Sequence, residues 1–234
     1  MLWWLFGGVA LLNVYALALV VVRGVLYRTS VYRPMLLNLA LSIVPVFVLG
    51  GVVLALLALL AAQAPTAVTV TVTVAGTLVW LVLLPNAGYL VTELNFSHRR
   101  DDDPVPLWFD IVAVLTLALS GVLNTVVNVL VAQMLFAVLR YPEDDAPFTR
   151  PGSWLAVGVV LVLVTVGVYL GRYVRFNSWD LLHPASFVRK LAQHLRTPGV
   201  PAQAALFCLL HSVLLGLVYV IVVGPLTALF VRGA

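Results

Sequence analysis

Charged side chains are scarce in this sequence of 234 residues, where Asp, Glu, Lys and Arg together make up only 9%. A soluble globular domain carries roughly 25% charged residues. Hydrophobic residues reach 63% of the chain, and the mean hydropathy is +1.11. This balance excludes a soluble enzyme, a disordered chain and a fibrous repeat. It predicts a polytopic membrane protein.

Cysteine and lysine are almost absent. Cys208 is the single cysteine, which excludes an intrachain disulfide. Lys190 is the single lysine, and it lies outside every apolar run, so a retinal Schiff base is not expected. Basic residues outnumber acidic residues by 13 to 9. Because no soluble domain exists to carry a basic face, we expect no nucleic-acid partner.

The short motifs of common enzyme sites are also missing. The sequence has no HExxH, GxSxG, Walker or dinucleotide-binding glycine motif, and it has no paired cysteines. A metal site would need Glu93, Asp110, Asp180 and His211 to converge. Nearby arginines would compete for those carboxylates, so we predict no metal site. Neither a cofactor nor a catalytic residue can be assigned.

Six apolar runs are long enough to cross a membrane as helices, which takes about 20 residues each. They cover residues 3–22, 35–62, 68–91, 108–139, 154–173 and 203–231. The third begins with alternating Val and Thr, as in a strand, but an open strand cannot satisfy its backbone in lipid. We therefore predict an all-α transmembrane bundle that forms a single domain over residues 1–234.

The distribution of basic residues predicts the orientation of the bundle. Loops that follow the first, third and fifth spans contain ten basic residues, whereas the opposite side has three. Because cytoplasmic loops collect Lys and Arg, both termini are expected on the outer side. The fourth run is unusually long, but splitting it at Ser120–Gly121 would place the most basic loop outside. We predict one long fourth helix.

Polar side chains are concentrated at the predicted cytoplasmic ends of the spans. An ionisable residue in a membrane helix is costly and is by default a candidate functional residue. The spacing of Asn86, Tyr89 and Glu93 puts them on one helical face, and His211 is expected at the start of the sixth span. The candidate polar cluster consists of Asn86, Tyr89, Glu93, Asp110, Arg172, Arg175, Asn177, Ser178, Asp180 and His211.

Two interpretations of this cluster remain open. It is either a structural clasp or a pocket for a ligand, ion or substrate. In both, Glu93 and Asp110 are expected to pair with Arg172 or Arg175, because buried charges need neutralising partners. The uncharged members exceed what neutralisation needs, which favours the pocket.

A second polar stripe lies near the middle of the membrane. Ser120, Asn124 and Asn128 follow one face of the fourth span, and Asn13 lies in the first. Amide hydrogen bonds between helices are the simpler interpretation. A polar path toward the inner cluster is the alternative.

The connector from Pro184 to Arg196 alternates apolar and basic residues with helical spacing. This pattern is typical of an amphipathic helix at a membrane surface. It is either an ordinary interfacial connector or an element that binds lipid headgroups or acts as a lid. Membrane lipids are the expected partners.

Residues 84–94, LPNAGYLVTEL, resemble the LPNAPY…TDL signature of a prokaryotic membrane-protein family known as domain of unknown function thirteen sixty-one. Residues 38–45, 106–110 and 171–180 also look like that family. Gly88 stands where the family usually has Pro, and Glu93 replaces its Asp. The resemblance covers about residues 36–200 and implies a multi-pass protein of a prokaryotic plasma membrane. It implies no established activity.

The leading hypothesis for function is binding and translocation of a small solute or ion through the cytoplasmic pocket. The alternative is a membrane-embedded enzyme that acts on a lipid or isoprenoid head group, with arginines holding phosphate. The small size of the chain for a transporter favours a homo-oligomer.

Overall fold

The computed structural model describes residues 2–30, 33–94, 104–175 and 184–232, with all their side chains except those of residues 93, 94, 184 and 228–232. All regular structure in these ranges is helical. Six helices are long and apolar enough to cross a membrane. The predicted all-α bundle is therefore confirmed, whereas the side on which the termini lie stays a prediction.

Eight α-helices are present in the described residues. They are α1 (Leu2–Leu26), α2 (Arg33–Ala61), α3 (Thr66–Leu83), α4 (Pro85–Tyr89), α5 (Leu107–Arg140), α6 (Pro151–Tyr169), α7 (Pro184–Leu195) and α8 (Val200–Arg232). Short 3-10 turns cover Leu90–Leu94 and Pro147–Thr149, and a π-helical turn covers Leu170–Val174.

The long helix α5 is the centre of the bundle. It runs unbroken over 34 residues, as predicted for the fourth span. In an 18-residue apolar stretch of α5, 56% of the residues are buried, whereas the share in the corresponding stretches of the other spans is 11% to 33%. It packs against α1, α2, α4, α6 and α8. The other helices expose Leu, Val and Ile side chains on their outer faces, such as Leu54 and Ile221, as lipid contact requires.

One end of the bundle carries most of the candidate residues. Contacts between successive helices bring the last turns of α1 and α6 to the same end as the first turns of α2, α5 and α8. The 3-10 turn Leu90–Leu94, the π-turn Leu170–Val174 and α7 lie there too. We call this the α7 end; the basic-residue distribution predicts that it faces the cytoplasm.

The third span differs from the expected continuous helix over 68–91. Helix α3 ends at Leu83, α4 occupies a single short stretch, and the chain then tightens into the 3-10 turn. Pro85 causes the interruption because its ring nitrogen carries no hydrogen to continue the helical ladder. Asn86 and Tyr89 lie on α4, whereas the backbone of Glu93 is in the 3-10 turn, so the three residues are not on one continuous α-helix.

Candidate functional site

An ion pair between the first and fourth spans lies at the α7 end. Arg23 Nε is 2.9 Å from Asp110 Oδ1. Asp110 is in the first turn of α5 and only 8% exposed, and Arg23 is in the last turn of α1. Helix dipoles favour an acid at the start of a helix and a base at its end, so each residue suits its position.

Aromatic and hydroxyl groups surround this pair. Arg23 Nη1 donates to Thr29 Oγ1 at 3.2 Å. The rings of Tyr27 and Phe109 meet edge to face with centroids 5.2 Å apart. Partial exclusion of water strengthens the attraction between the two charges.

The expected pairing of Asp110 with Arg172 or Arg175 is wrong. Its carboxylate binds an arginine of α1 instead, and within the described ranges neither Arg172 nor Arg175 has a carboxylate within 4.0 Å. The reason is positional: Asp110 lies in the first turn of α5, next to α1, whereas the two arginines follow α6. For Glu93, the expected pairing lies outside the described side chains.

The segment after the Pro85 interruption is held by short, local bonds. Asn86 Nδ2 donates to the carbonyl oxygen of Leu83 at 2.9 Å, which satisfies a carbonyl at the helix break. Thr92 Oγ1 donates to the carbonyl oxygen of Tyr89 at 2.7 Å. The Asn86 amide nitrogen is therefore already used in a hydrogen bond within the third span.

Small residues let this segment lie tightly between α5 and α6. A β-carbon on Gly121 would lie 2.7 Å from Leu90 Cβ and 2.9 Å from the carbonyl oxygen of Ala87. A β-carbon on Gly167 of α6 would overlap Pro85 Cγ. The third span thus contacts the fourth and fifth spans at backbone distance.

Gly88 has less restrictive surroundings. A β-carbon there would lie 3.2 Å from Val164 Cγ1 and 3.3 Å from Val168 Cγ2. Both neighbours are side-chain methyl groups that can shift by a few tenths of an ångström, whereas Gly121 faces a carbonyl oxygen. This explains how a larger residue can be accommodated at the Gly88 position.

The fifth span also ends in irregular backbone. Helix α6 passes into the π-turn that contains Arg172, and Arg175 then adopts a left-handed conformation with φ 56° and ψ 41°. A non-glycine residue in this region is uncommon and costs free energy. Single π-turns occur often at functional sites. Arg172 and Arg175 therefore follow the end of the regular α-helix rather than lying on it.

Aromatic rings join the ends of α6, α7 and α8. Tyr169 Oη lies 2.9 Å from His194 Nε2, which ties α7 to α6. The rings of Tyr169 and Tyr173 stack at 4.8 Å, and both contact Phe207 of α8. These contacts set the position of α7 beside the π-turn.

His211 belongs to this aromatic group. Its ring stacks on Phe207 with centroids 3.8 Å apart, and Nδ1 lies 2.9 Å from the carbonyl oxygen of Phe207. Because α8 begins at Val200, His211 is about three turns inside the helix rather than at its start.

The candidate cluster therefore divides into two neighbourhoods. Asp110 lies with Arg23 between α1 and α5, whereas Arg172, Arg175 and His211 lie with α6 and α8. Asn86 and Tyr89 are on α4, which packs against both α5 and α6. Glu93 has its backbone in the 3-10 turn. The remaining candidates, which are Asn177, Ser178 and Asp180, lie outside the described residues.

The mid-membrane stripe forms hydrogen bonds between helices. Asn124 of α5 bonds to Asn13 of α1, and its Nδ2 also donates to Ser42 Oγ of α2 at 3.0 Å. Asn128 Oδ1 accepts from Trp80 Nε1 of α3 at 2.9 Å. These amides are buried and bonded, which favours the first interpretation of the stripe over a polar path.

Gln133 adds a third such junction that sequence reasoning missed. Its Nε2 donates to Ser153 Oγ of α6 at 3.0 Å, and its Oε1 accepts from Tyr219 Oη of α8 at 2.6 Å. The four-residue spacing of Ser120, Asn124 and Asn128 leads to Ala132, whereas Gln133 lies on another face of α5, so the stripe did not indicate it.

The opposite end of the bundle has a short charged turn. Arg150 pairs with Asp144, whose second oxygen accepts the Ala146 backbone N–H at 2.9 Å. The hydrogen bond from the Arg150 guanidinium is the largest cause that lowers the pKa of the Asp144 carboxyl below its ordinary value. The ion pair and this hydrogen bond hold the connection between α5 and α6 in its turn conformation.

Metal-ligating side chains do not converge in the part of the chain that the structure describes. Among the described residues, no group of three His, Cys, Asp or Glu side chains is close enough to hold a metal ion. Of the four proposed ligands, Asp110 and His211 belong to different neighbourhoods.

A family model described as a protein of unknown function (DUF1361) matches residues 37–218 of the chain. The chain belongs to this family. The match includes the third span, α5, the π-turn and α7, so the DUF1361 region contains every candidate residue named from the sequence, whereas Arg23, Tyr27 and Thr29 precede it. No curated protein and no solved structure matches the chain.

Proposed function

We propose that the protein binds a small anionic solute at the α7 end and translocates it across the plasma membrane of a prokaryote. The observation that carries the proposal is irregular helical backbone in two adjacent spans. The third span is irregular at Pro85, the fifth ends in the π-turn, and Pro85 contacts Gly167 between them. Irregular backbone in packed membrane spans is a feature of transporter substrate sites.

The charge at this end supports an anion as the substrate. Asp110 already has Arg23 as a partner. Arg172 and Arg175, in contrast, have no carboxylate within 4.0 Å among the described residues. A guanidinium binds carboxylate or phosphate through two parallel hydrogen bonds, so the two arginines are suited to such a ligand.

The route of translocation follows from the packing. The amides along α5 are bonded to neighbouring helices, so the solute does not pass along that stripe. The proposal places the route between α4 and α6, where Pro85 contacts Gly167 and the backbone is already irregular. Opening would separate this contact while the hydrogen bonds of α5 keep the rest of the bundle together.

Liposomes that contain the purified full-length protein test the proposal. We expect uptake of inorganic phosphate or of succinate, and we expect Arg172→Gln with Arg175→Gln to reduce it at least tenfold at an unchanged melting temperature. Arg28→Gln with Arg140→Gln is the matched control, since it removes the same charge from exposed positions. Absence of uptake for both anions, or equal uptake by both double variants, would overturn the proposal.

A second candidate function is an enzyme that acts on a lipid head group. The hydrogen bond between Tyr169 and His194 favours it, because an imidazole paired with a hydroxyl can transfer protons. Mass spectrometry of the same vesicles distinguishes the two functions. Release of the head group that depends on His194 supports the enzyme, whereas unchanged lipid with anion uptake supports the transporter.

A further inference from the structure

Helix α7 is unlike every other helix of the bundle. Over Pro184–Leu195 its apolar residues lie on one side and its basic residues on the other. It lies at the α7 end, against the π-turn and α8. A short helix with segregated basic and apolar faces is the pattern of a helix that lies in the plane of a membrane surface.

The inward side of α7 is used in packing. His194 bonds to Tyr169, and Phe187 and Leu191 are partly buried. This contact fixes the rotation of α7 about its own axis. The rest of the helix is consequently presented outward in a defined orientation, rather than being free to turn.

An open groove of about 600 Å³ follows the outward side. Its described lining combines an apolar strip with a polar, basic strip: Ala185, Val188, Ala192, Arg189, Gln193 and Arg196. Val188 is 60% exposed, so the apolar strip is accessible.

The two arginines of the groove are placed to act together. Arg196 directly follows the last residue of α7, and its backbone N–H still donates to the Ala192 carbonyl oxygen at 3.0 Å. A separation of seven residues in this helical register puts Arg189 and Arg196 on one side, about 10 Å apart along the axis. Arginine side chains extend far enough to reach a common phosphate between them. Such side chains keep their apolar stems along the hydrocarbon boundary and their charged ends at the headgroups.

We propose that this groove binds one anionic phospholipid of the inner leaflet. Arg189 and Arg196 hold the phosphate, Gln193 lies between them, and an acyl chain follows Val188 and Ala192. A phospholipid complements this lining in charge and polarity, because it presents a phosphate next to a hydrocarbon chain. The bound lipid would anchor α7 beside the π-turn, independently of any solute that the protein transports.

Native mass spectrometry of the full-length protein in detergent tests this proposal. We expect phosphatidylglycerol to be retained and phosphatidylcholine to be lost under the same conditions. Arg189→Gln with Arg196→Gln should weaken retention of phosphatidylglycerol by at least about tenfold, since each substitution removes a charge-assisted hydrogen bond to the phosphate. Val188→Gln should weaken it through the apolar strip while leaving all charges in place.

The matched control is Arg28→Gln with Lys190→Gln. It removes the same two charges from the same end of the bundle, but neither residue lines the groove. We expect less than a threefold change. A loss equal to that of the Arg189 and Arg196 variant would mean diffuse attraction and would overturn the site. Displacement of the lipid by free glycerol phosphate would overturn a lipid as the occupant.

The result is distinguishable from failure of the transport proposal. Anion uptake is measured with Arg172 and Arg175 variants, and lipid retention is measured without any solute gradient. Circular dichroism of the Arg189→Gln, Arg196→Gln protein checks that α7 stays folded. Lost retention with unchanged helicity supports the groove, and unchanged retention refutes it.

Discussion

Asn13 and Asn124 bond to each other through both ends of their amide groups. Asn13 Nδ2 donates to Asn124 Oδ1 at 2.8 Å, and Asn124 Nδ2 donates back to Asn13 Oδ1 at 3.0 Å. Both side chains are buried. Ser42 accepts a further hydrogen bond from Asn124, so one side chain of α5 fixes α1 and α2 together.

Replacing Asn124 by Leu should destabilise the bundle. The substitution keeps the volume but leaves Asn13 Oδ1 without its donor, while Asn13 Nδ2 keeps its bond to the Val9 carbonyl oxygen. A buried unsatisfied group costs about 1–3 kcal/mol. We expect a lower free energy of unfolding in an SDS titration followed by circular dichroism. The double variant Asn13→Leu, Asn124→Leu should recover part of the loss, because both amides are then gone.

Ser120→Ala provides the matched control on the same helix. Ser120 is buried too, but its hydroxyl bonds to the Leu117 carbonyl of its own helix at 2.7 Å. We expect a change below about 0.5 kcal/mol, as no group on another helix loses a partner. If Ser120→Ala and Asn124→Leu are equally destabilising, the bonds between helices do not account for the effect.

The spans were predictable because length and hydropathy alone determine them. A run of about 20 apolar residues in lipid must close its backbone hydrogen bonds within itself, so each such run becomes a helix. The continuity of α5 through Ser120 and Gly121 was predictable from the basic loops. These arguments need no knowledge of which helices touch.

The irregular segments depend on packing and were not predictable in the same way. Pro85 signals an interruption, yet whether the helix resumes depends on Gly121 and Gly167, which lie far away in sequence. The π-turn before Arg175 has no proline or glycine pair to mark its position beyond Gly171. Helical spacing alone therefore did not indicate that the backbone changes to a 3-10 turn before Glu93.

The partner of Asp110 shows the same limit. Four opposite charges near one membrane depth suggested a single cluster, but pairing requires adjacent helices and not only equal depth. Arg23 entered the sequence analysis through loop charge alone. Since α1 and not α6 lies beside the first turn of α5, Asp110 pairs with Arg23.

The Arg23–Asp110 pair should stabilise the contact of α1 with α5. Arg23→Gln leaves a carboxylate with one charged partner fewer, which we expect to lower the free energy of unfolding by about 1–3 kcal/mol. Asp110→Asn alone should have a similar effect, and the double variant should cost less than the sum. Additive losses in the SDS titration would show that the two side chains do not interact.

Cysteine labelling should establish the orientation that the basic loops predict. In a Cys208→Ser background, Ala64→Cys and Ala146→Cys should react with a membrane-impermeant maleimide in intact cells. Ser30→Cys and Lys190→Cys should react only after the membrane is opened. Labelling at position 190 from outside would reverse the assignment of the α7 end and with it the side from which the solute binds.

Gly121→Ala should displace the interrupted third span. The added methyl group would meet Leu90 Cβ at 2.7 Å and the Ala87 carbonyl oxygen at 2.9 Å, and backbone cannot move aside as a side-chain tip can. Overpacking of this kind costs about 1–3 kcal/mol.

Gly158→Ala is the control, because nothing lies within 4 Å of its added carbon, and there alanine is expected to be neutral or slightly stabilising. If the α4 segment forms the solute site, Gly121→Ala should reduce anion uptake by more than its unfolded fraction explains, whereas Gly158→Ala should transport normally. Equal stability and equal uptake for both variants would show that the close approach of α5 to Leu90 is unnecessary for either property.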